Sequence, residues 1–127
     1  MAVVPIAVEW DEESRLWRLV TGAAFGFDEI VELVEKTDWR ASKRYLWDFR
    51  DLRSGPGKSE DLHNGVDLLE LNRALWAGSR AALLVERDID FGIARMFQAL
   101  AEGMGVEYQV FRDEQTARAW LEVAPAE

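Results

Sequence analysis

The residue types best suited to chemistry lie in one polar stretch in the middle of the chain. Residues 51–59 read DLRSGPGKS and end in Gly-Lys-Ser, as phosphate-binding loops do. Such a loop also needs a first glycine where this chain has Leu52. The sequence therefore predicts no nucleotide site in this stretch.

His63 is the only histidine of the chain and the one side chain placed for acid–base work. Asp67 follows one helical turn later and Glu70 two turns later, so a His–Asp contact is within reach. General acid–base catalysis also needs a nucleophile and a substrate pocket within hydrogen-bonding distance. The sequence indicates neither, so we predict a partly exposed helix histidine, no catalytic residues and no enzyme activity.

Composition excludes several further classes of site and partner. The chain has no cysteine and one histidine, so we expect no disulfide, no thiolate chemistry, no metal site and no cofactor. Fifteen basic against twenty-four acidic side chains give a net charge of −9. Binding to nucleic acid depends on neutralising phosphates, so we expect no nucleic-acid partner. An anionic membrane surface is disfavoured for the same reason.

The length and the hydropathy of the chain predict a single cytoplasmic domain. The first ten residues, MAVVPIAVEW, lack the basic start and long apolar run of a signal peptide. No stretch approaches the roughly 20 apolar residues of a membrane span. The 127 residues suit one domain over positions 1–127.

Hydrophobic periodicity divides the chain into five strands and four helices in the order ββαβαβαβα. The predicted strands are Val3–Trp10, Leu16–Val20, Tyr45–Phe49, Arg80–Glu86 and Val106–Phe111. The predicted helices are capped by Asp28, Ser59, Asp88 or Asp90, and Asp113, and end near Trp39, Gly78, Gly103 and Leu121. A short turn between the first two strands predicts a hairpin, and helices between the later strands predict parallel pairing. The fold class is α/β with a mixed five-stranded sheet.

The ends of the third and fourth strands are expected to form a crevice at one edge of the sheet. Ligands of open α/β folds bind beyond the carboxyl ends of the strands. Two helix N-termini, near Ser59 and Asp90, point there. Four basic residues lie close in sequence, so an anionic head group would fit. They are Arg50, Arg53, Lys58 and Arg87. The alternative is that Ser59 and the aspartate only cap their helices while the basic side chains are solvated.

Aromatic side chains are numerous enough to form either a cavity or a large core. The chain has six tryptophans and six phenylalanines. Burying large aromatics is first of all a way to build a core, and both interpretations stay open. The predicted ligand-binding residues of the crevice are Trp47, Phe49, Arg53, Trp76, Arg87, Phe91 and Phe97.

The third predicted helix offers a second surface. Arg95 lies off its apolar stripe, where it either anchors a carboxylate or a partner chain, or pairs with Asp88 or Glu102. A row of mostly small residues permits the close approach of another helix, within the domain or in a homodimer. The row comprises Gly92, Met96, Ala99 and Gly103.

Two segments near the C-terminus resemble a known family. Residues 90–97 (DFGIARMF), and residues 110–113 (VFRD) through 119–121 (AWL), resemble a branch of small bacterial STAS/SEC14-like proteins. The element order also resembles the STAS fold of the anti-sigma-factor antagonists. The resemblance implies a single STAS-like domain.

The resemblance implies two kinds of function. SEC14-like relatives imply an apolar or amphipathic, lipid-like ligand, so our preferred expectation is a non-enzymatic binding module for such a molecule in the sheet–helix crevice. Anti-sigma-factor antagonists imply instead a regulatory protein-interaction module with a phosphorylatable serine at the start of the second helix. Ser54 and Ser59 are the candidates here, although the Asp-Ser-Ser-Gly motif of that family is missing.

Overall fold

One five-stranded sheet forms the frame of the part of the protein that the structure describes. The computed structural model describes residues 6–21, 42–50, 67, 70, 71 and 73–122. The strands are β1 (Ile6–Asp11), β2 (Leu16–Thr21), β3 (Arg44–Asp48), β4 (Ser79–Leu84) and β5 (Val106–Phe111), and they lie side by side in sequence order. The helices are α1 (Arg73–Trp76), α2 (Asp88–Leu100) and α3 (Glu114–Glu122).

The pairing of the strands confirms the α/β class and the mixed sheet. β1 and β2 pair antiparallel, whereas β2–β3, β3–β4 and β4–β5 all pair parallel. The third and fourth predicted helices correspond to α2 and α3. The first predicted helix lies outside the described residues, and α1 is the end of the second. That the chain has four helices, and that its architecture is that of STAS proteins, therefore stay predictions.

β4 passes through the centre of the core. Residues 81–85, Ala-Ala-Leu-Leu-Val, are only 0 to 4% exposed. Alternate side chains of a strand point to opposite faces, so a strand covered on both faces is apolar throughout. Ala82 and Leu84 pack with Ala117 and Leu121 of α3 on one face. Leu83 packs with Ala94 of α2 on the other.

The starts of α2 and α3 differ in how their backbone N–H groups are satisfied. Asp113 caps α3 as predicted, because its Oδ2 accepts the Thr116 N–H at 2.9 Å. The predicted cap of α2 by Asp88 or Asp90 is wrong. Arg87 is the N-cap and makes no side-chain cap bond. The Asp90 carboxylate is instead bound by the Arg87 guanidinium, at 2.7 and 3.0 Å.

Two glycines allow a test of these backbone conformations. Gly78 follows α1 with a φ of 82°, which favours glycine, whereas Gly92 lies in α2 with open space around its missing side chain. Gly78→Ala should destabilise the protein by about 1 kcal/mol, and Gly92→Ala should stabilise it by about 0.5–1 kcal/mol. Urea unfolding of both variants measures the two shifts. Equal effects of the same sign would contradict the backbone assignment.

Candidate functional site

A network of charged side chains lies at the carboxyl end of β3, on the face covered by α3. The Asp48 side chain is only 6% exposed. Its Oδ2 accepts hydrogen bonds from Arg18 Nη2 at 2.7 Å and from Arg50 Nη2 at 2.8 Å. Glu114, in the first turn of α3, accepts from the same two nitrogens at 3.1 and 2.9 Å. Two carboxylates and two guanidiniums therefore join β2, β3 and α3.

Arg118 extends this network to the first strand. Its Nε donates to Glu114 at 2.8 Å, and its Nη1 donates to Asp11 at 2.9 Å. The side chains of Asp11 and Arg118 are about one-quarter exposed. Charge-assisted hydrogen bonds thus hold α3 to both strands of the N-terminal hairpin, to Asp11 of β1 and to Arg18 of β2.

The contacts of the network favour the charged form of each of its members. Burial pushes the pKa of Asp48 upward, but hydrogen bonds from Arg50 and the charge of Arg18 outweigh it, so the pKa lies below its usual value. Burial acts on Glu114 in the same way, and hydrogen bonds from Arg118 and Arg18 again lower the pKa. The hydrogen bond to Asp48 raises the pKa of Arg50. All these groups stay charged, so the network is suited to holding the fold together.

Four of the predicted crevice aromatics come together on the opposite face of the sheet. Trp47 stacks on Phe49 with ring centres 5.7 Å apart, and both pack with Phe91 and Phe97 against buried residues of β4, β5 and α2. Trp76 lies beside them and meets Tyr45 edge-on at 5.4 Å. Rings that pack against one another in this way favour the core over the cavity.

The other predicted site residues have different outcomes. Arg87 is bound to Asp90. Arg53, Ser54, Ser59 and His63 lie outside the described residues, so a crevice built from them stays a prediction. The predicted ion pair of Arg95 with Asp88 or Glu102 does not form. Asp88 is bound by Arg112 instead.

A groove that the sequence did not reveal lies between α2 and β5. Its volume is about 500 Å³. One wall belongs to α2 and the loop after it, and the other to β5. The lining residues are Arg95, Gln98, Ala99, Glu102, Gly103, Val106, Glu107 and Tyr108.

The middle of the groove is fixed by contacts between Tyr108 and α2. Gln98 Nε2 donates to the Tyr108 carbonyl oxygen at 2.7 Å, and the Phe97 ring meets the Tyr108 ring edge-on at 5.2 Å. Burial raises the pKa of the Tyr108 phenol, which stays protonated at neutral pH. The rim is charged, because Arg95 and Glu102 are exposed and form no ion pair with any described residue. The groove can therefore offer charges of both signs to a partner.

Comparison with known proteins adds no assignment. No family model matches the chain, and no significant match was found among curated proteins or solved structures. The resemblance to STAS proteins thus stays a prediction.

Two structural searches bear on the kind of site. The described residues contain no group of three or more His, Asp or Glu side chains placed to hold a metal ion. Within the same residues, no helix has the length and apolar character needed to cross a bilayer.

Removing the buried carboxylate should expose the structural role of the charge network. Asp48→Asn removes the buried negative charge from the network and leaves Glu114 to balance both Arg18 and Arg50, which should lower the free energy of unfolding by about 3 kcal/mol at neutral pH. The matched change Asp88→Asn breaks an exposed pair and should cost less than about 1 kcal/mol. Urea unfolding of the two variants measures the difference.

The same variant has a defined pH dependence. A carboxylate with a lowered folded-state pKa stabilises the protein above its unfolded pKa, and this contribution is lost as the pH falls through the folded pKa. The deficit of Asp48→Asn should therefore shrink below about pH 4. A deficit that is equal at pH 7 and at about pH 3, or equal for the two aspartates, would contradict the ionised network.

Proposed function

We propose that this chain is a non-enzymatic protein-interaction module. Its partner binds on the β5 side, by which we mean β5 together with Arg95 and Gln98 of α2 and Glu102 of the turn after α2. The observation that carries the proposal is the position of β5. Among the described strands it lies at an edge of the sheet, and beside it runs a groove whose Arg95 and Glu102 form no ion pair with a described residue.

The free edge of β5 presents backbone groups that can bind another strand. The Val85 N–H donates to the Phe111 carbonyl at 3.0 Å, so the peptide groups of Phe111 face β4. Successive residues of a strand direct these groups to opposite edges. Those of Tyr108 and Val110 therefore face away from the sheet, which agrees with the bond from Gln98 to the Tyr108 carbonyl. Such an edge is a template for strand addition.

The lining of the groove favours a polypeptide over a lipid. An apolar chain in the groove would bury the charges of Arg95 and Glu102 without replacing their hydration, which costs free energy. A polypeptide brings its own charges and backbone hydrogen bonds. A partner side chain of opposite sign can pair with each of these residues at the rim.

A lipid-like or other amphipathic small molecule in the groove is the second candidate. The volume of about 500 Å³ favours it, since this is a usual size for small-molecule sites. It predicts that the freshly purified protein carries a bound molecule that native mass spectrometry detects. The protein-interaction proposal requires none.

Site-specific crosslinking tests the proposal directly. A photoreactive benzoylphenylalanine at position 107, on the exposed edge, should crosslink a protein in cells that make this chain. The same group at position 115, exposed on α3, should not. The crosslinked protein is then identified and purified. Its affinity should fall about tenfold with Arg95→Glu, because the charge offered to the partner is reversed.

The control for this variant is a charge reversal far from the groove. Arg15→Glu, in the exposed turn between β1 and β2, changes the net charge by the same amount and should leave the affinity unchanged. The proposal is wrong if position 107 gives no protein adduct. It is also wrong if the two reversals weaken binding equally.

A further inference from the structure

We infer that the partner on the β5 side is a second copy of this chain, paired through antiparallel β5 strands about a two-fold axis at Tyr108. The inference rests on the proposed function and names the partner of the same surface. Two features of the chain are self-complementary under this symmetry: the edge of β5, and the charges of Arg95 in α2 and Glu102 just after it.

The register of the strands follows from the groups that face the edge. With the axis at Tyr108, the outward N–H and C=O groups of Tyr108 meet those of the same residue in the copy. Val106 meets Val110 of the copy, and Glu107 meets Gln109. No like charges lie opposite each other, and the Gln109 amide can donate to the Glu107 carboxylate. An axis at Glu107 would instead place two carboxylates face to face.

The charges of Arg95 in α2 and of Glu102 just after it are also complementary about an axis at Tyr108. Gln98 is level with Tyr108, because its amide binds the Tyr108 carbonyl. Arg95 lies about one turn before Gln98 and Glu102 about one turn after it. A two-fold axis at this level runs the two α2 helices antiparallel and places Arg95 of each copy opposite Glu102 of the other. Arg95 and Glu102 form no ion pair with the described part of the chain. In the dimer each of them pairs with the copy, which gives two ion pairs in all.

The groove supplies the room for this contact. Antiparallel β5 strands would lie about 4.8 Å apart, and two helices pack at about 8–10 Å. Ala99 and Gly103 line the α2 wall, and because both residues are small the α2 helix of the copy can approach closely. The Tyr108 carbonyl has two lone pairs, so it accepts the N–H of the copy while it keeps the bond from Gln98.

Complementary charge reversals test the pairing. Sedimentation at about 0.15 M salt, where charges beyond roughly 8 Å are screened, measures the monomer–dimer equilibrium. The wild-type chain should dimerise in a concentration-dependent way. Arg95→Glu and Glu102→Arg each place like charges across the axis, so each variant alone should dimerise at least about tenfold more weakly. An equimolar mixture of the two should recover wild-type affinity, since every pair again joins opposite charges.

Recovery in the mixture cannot come from misfolded variants. The control is each variant alone at the total protein concentration of the mixture, where dimerisation should stay weak. A wild-type chain that stays monomeric at all concentrations overturns the inference that the partner is a second copy. So does a mixture that remains as weak as its components. If position 107 still crosslinks a different protein in those cases, only this inference fails. If it crosslinks nothing, the proposed function fails as well.

Discussion

The burial of β4 is the constraint on which the rest of the structure depends. Residues 81–85 are shielded on both faces, and β4 is hydrogen-bonded to a neighbour along each edge. A strand in this position needs a cover on each face, because its side chains alternate between the two. α3 covers one face and α2 helps to cover the other. Backbone groups without a strand partner then remain only at the outer edges of the described sheet, on β1 and β5.

The charged side chains divide into two groups that follow this layout. Those near the sheet surface under α3 are paired with one another, as Asp48, Arg18 and Glu114 show, and their cost of burial is offset by charge-assisted hydrogen bonds. Arg95 and Glu102 are exposed beside the free edge and have no such partner among the described residues. The first group explains how α3 is held, and the second is the basis of the proposed interaction.

The sequence predicted the parts of the fold that depend on local pattern. β5 was predicted with its observed bounds because its side chains alternate between Val106 and Phe111 and because Gly103 and Gly105 come just before it. The Asp113 cap was predicted because an aspartate stands directly before a helical pattern. The cap of α2 was missed because Asp90 is engaged by Arg87, a choice between two local partners that spacing does not decide.

Features that depend on distant contacts were not predictable in this way. Arg18 and Glu114 are 96 residues apart, and nothing in either segment indicates the other. The groove was missed because element order does not give strand order, so β5 could not be recognised as an edge. The packing of Trp47 on Phe49 likewise required coordinates to separate core from cavity.

The central claim is that the free edge of β5 is where a partner strand binds. Amide hydrogen exchange of Tyr108 and Val110, followed by NMR at several protein concentrations, tests it most directly. These two N–H groups face the edge, so the account predicts fast exchange in dilute protein and protection that grows as the protein associates. Exchange rates for both amides that stay the same while the protein associates would contradict the claim.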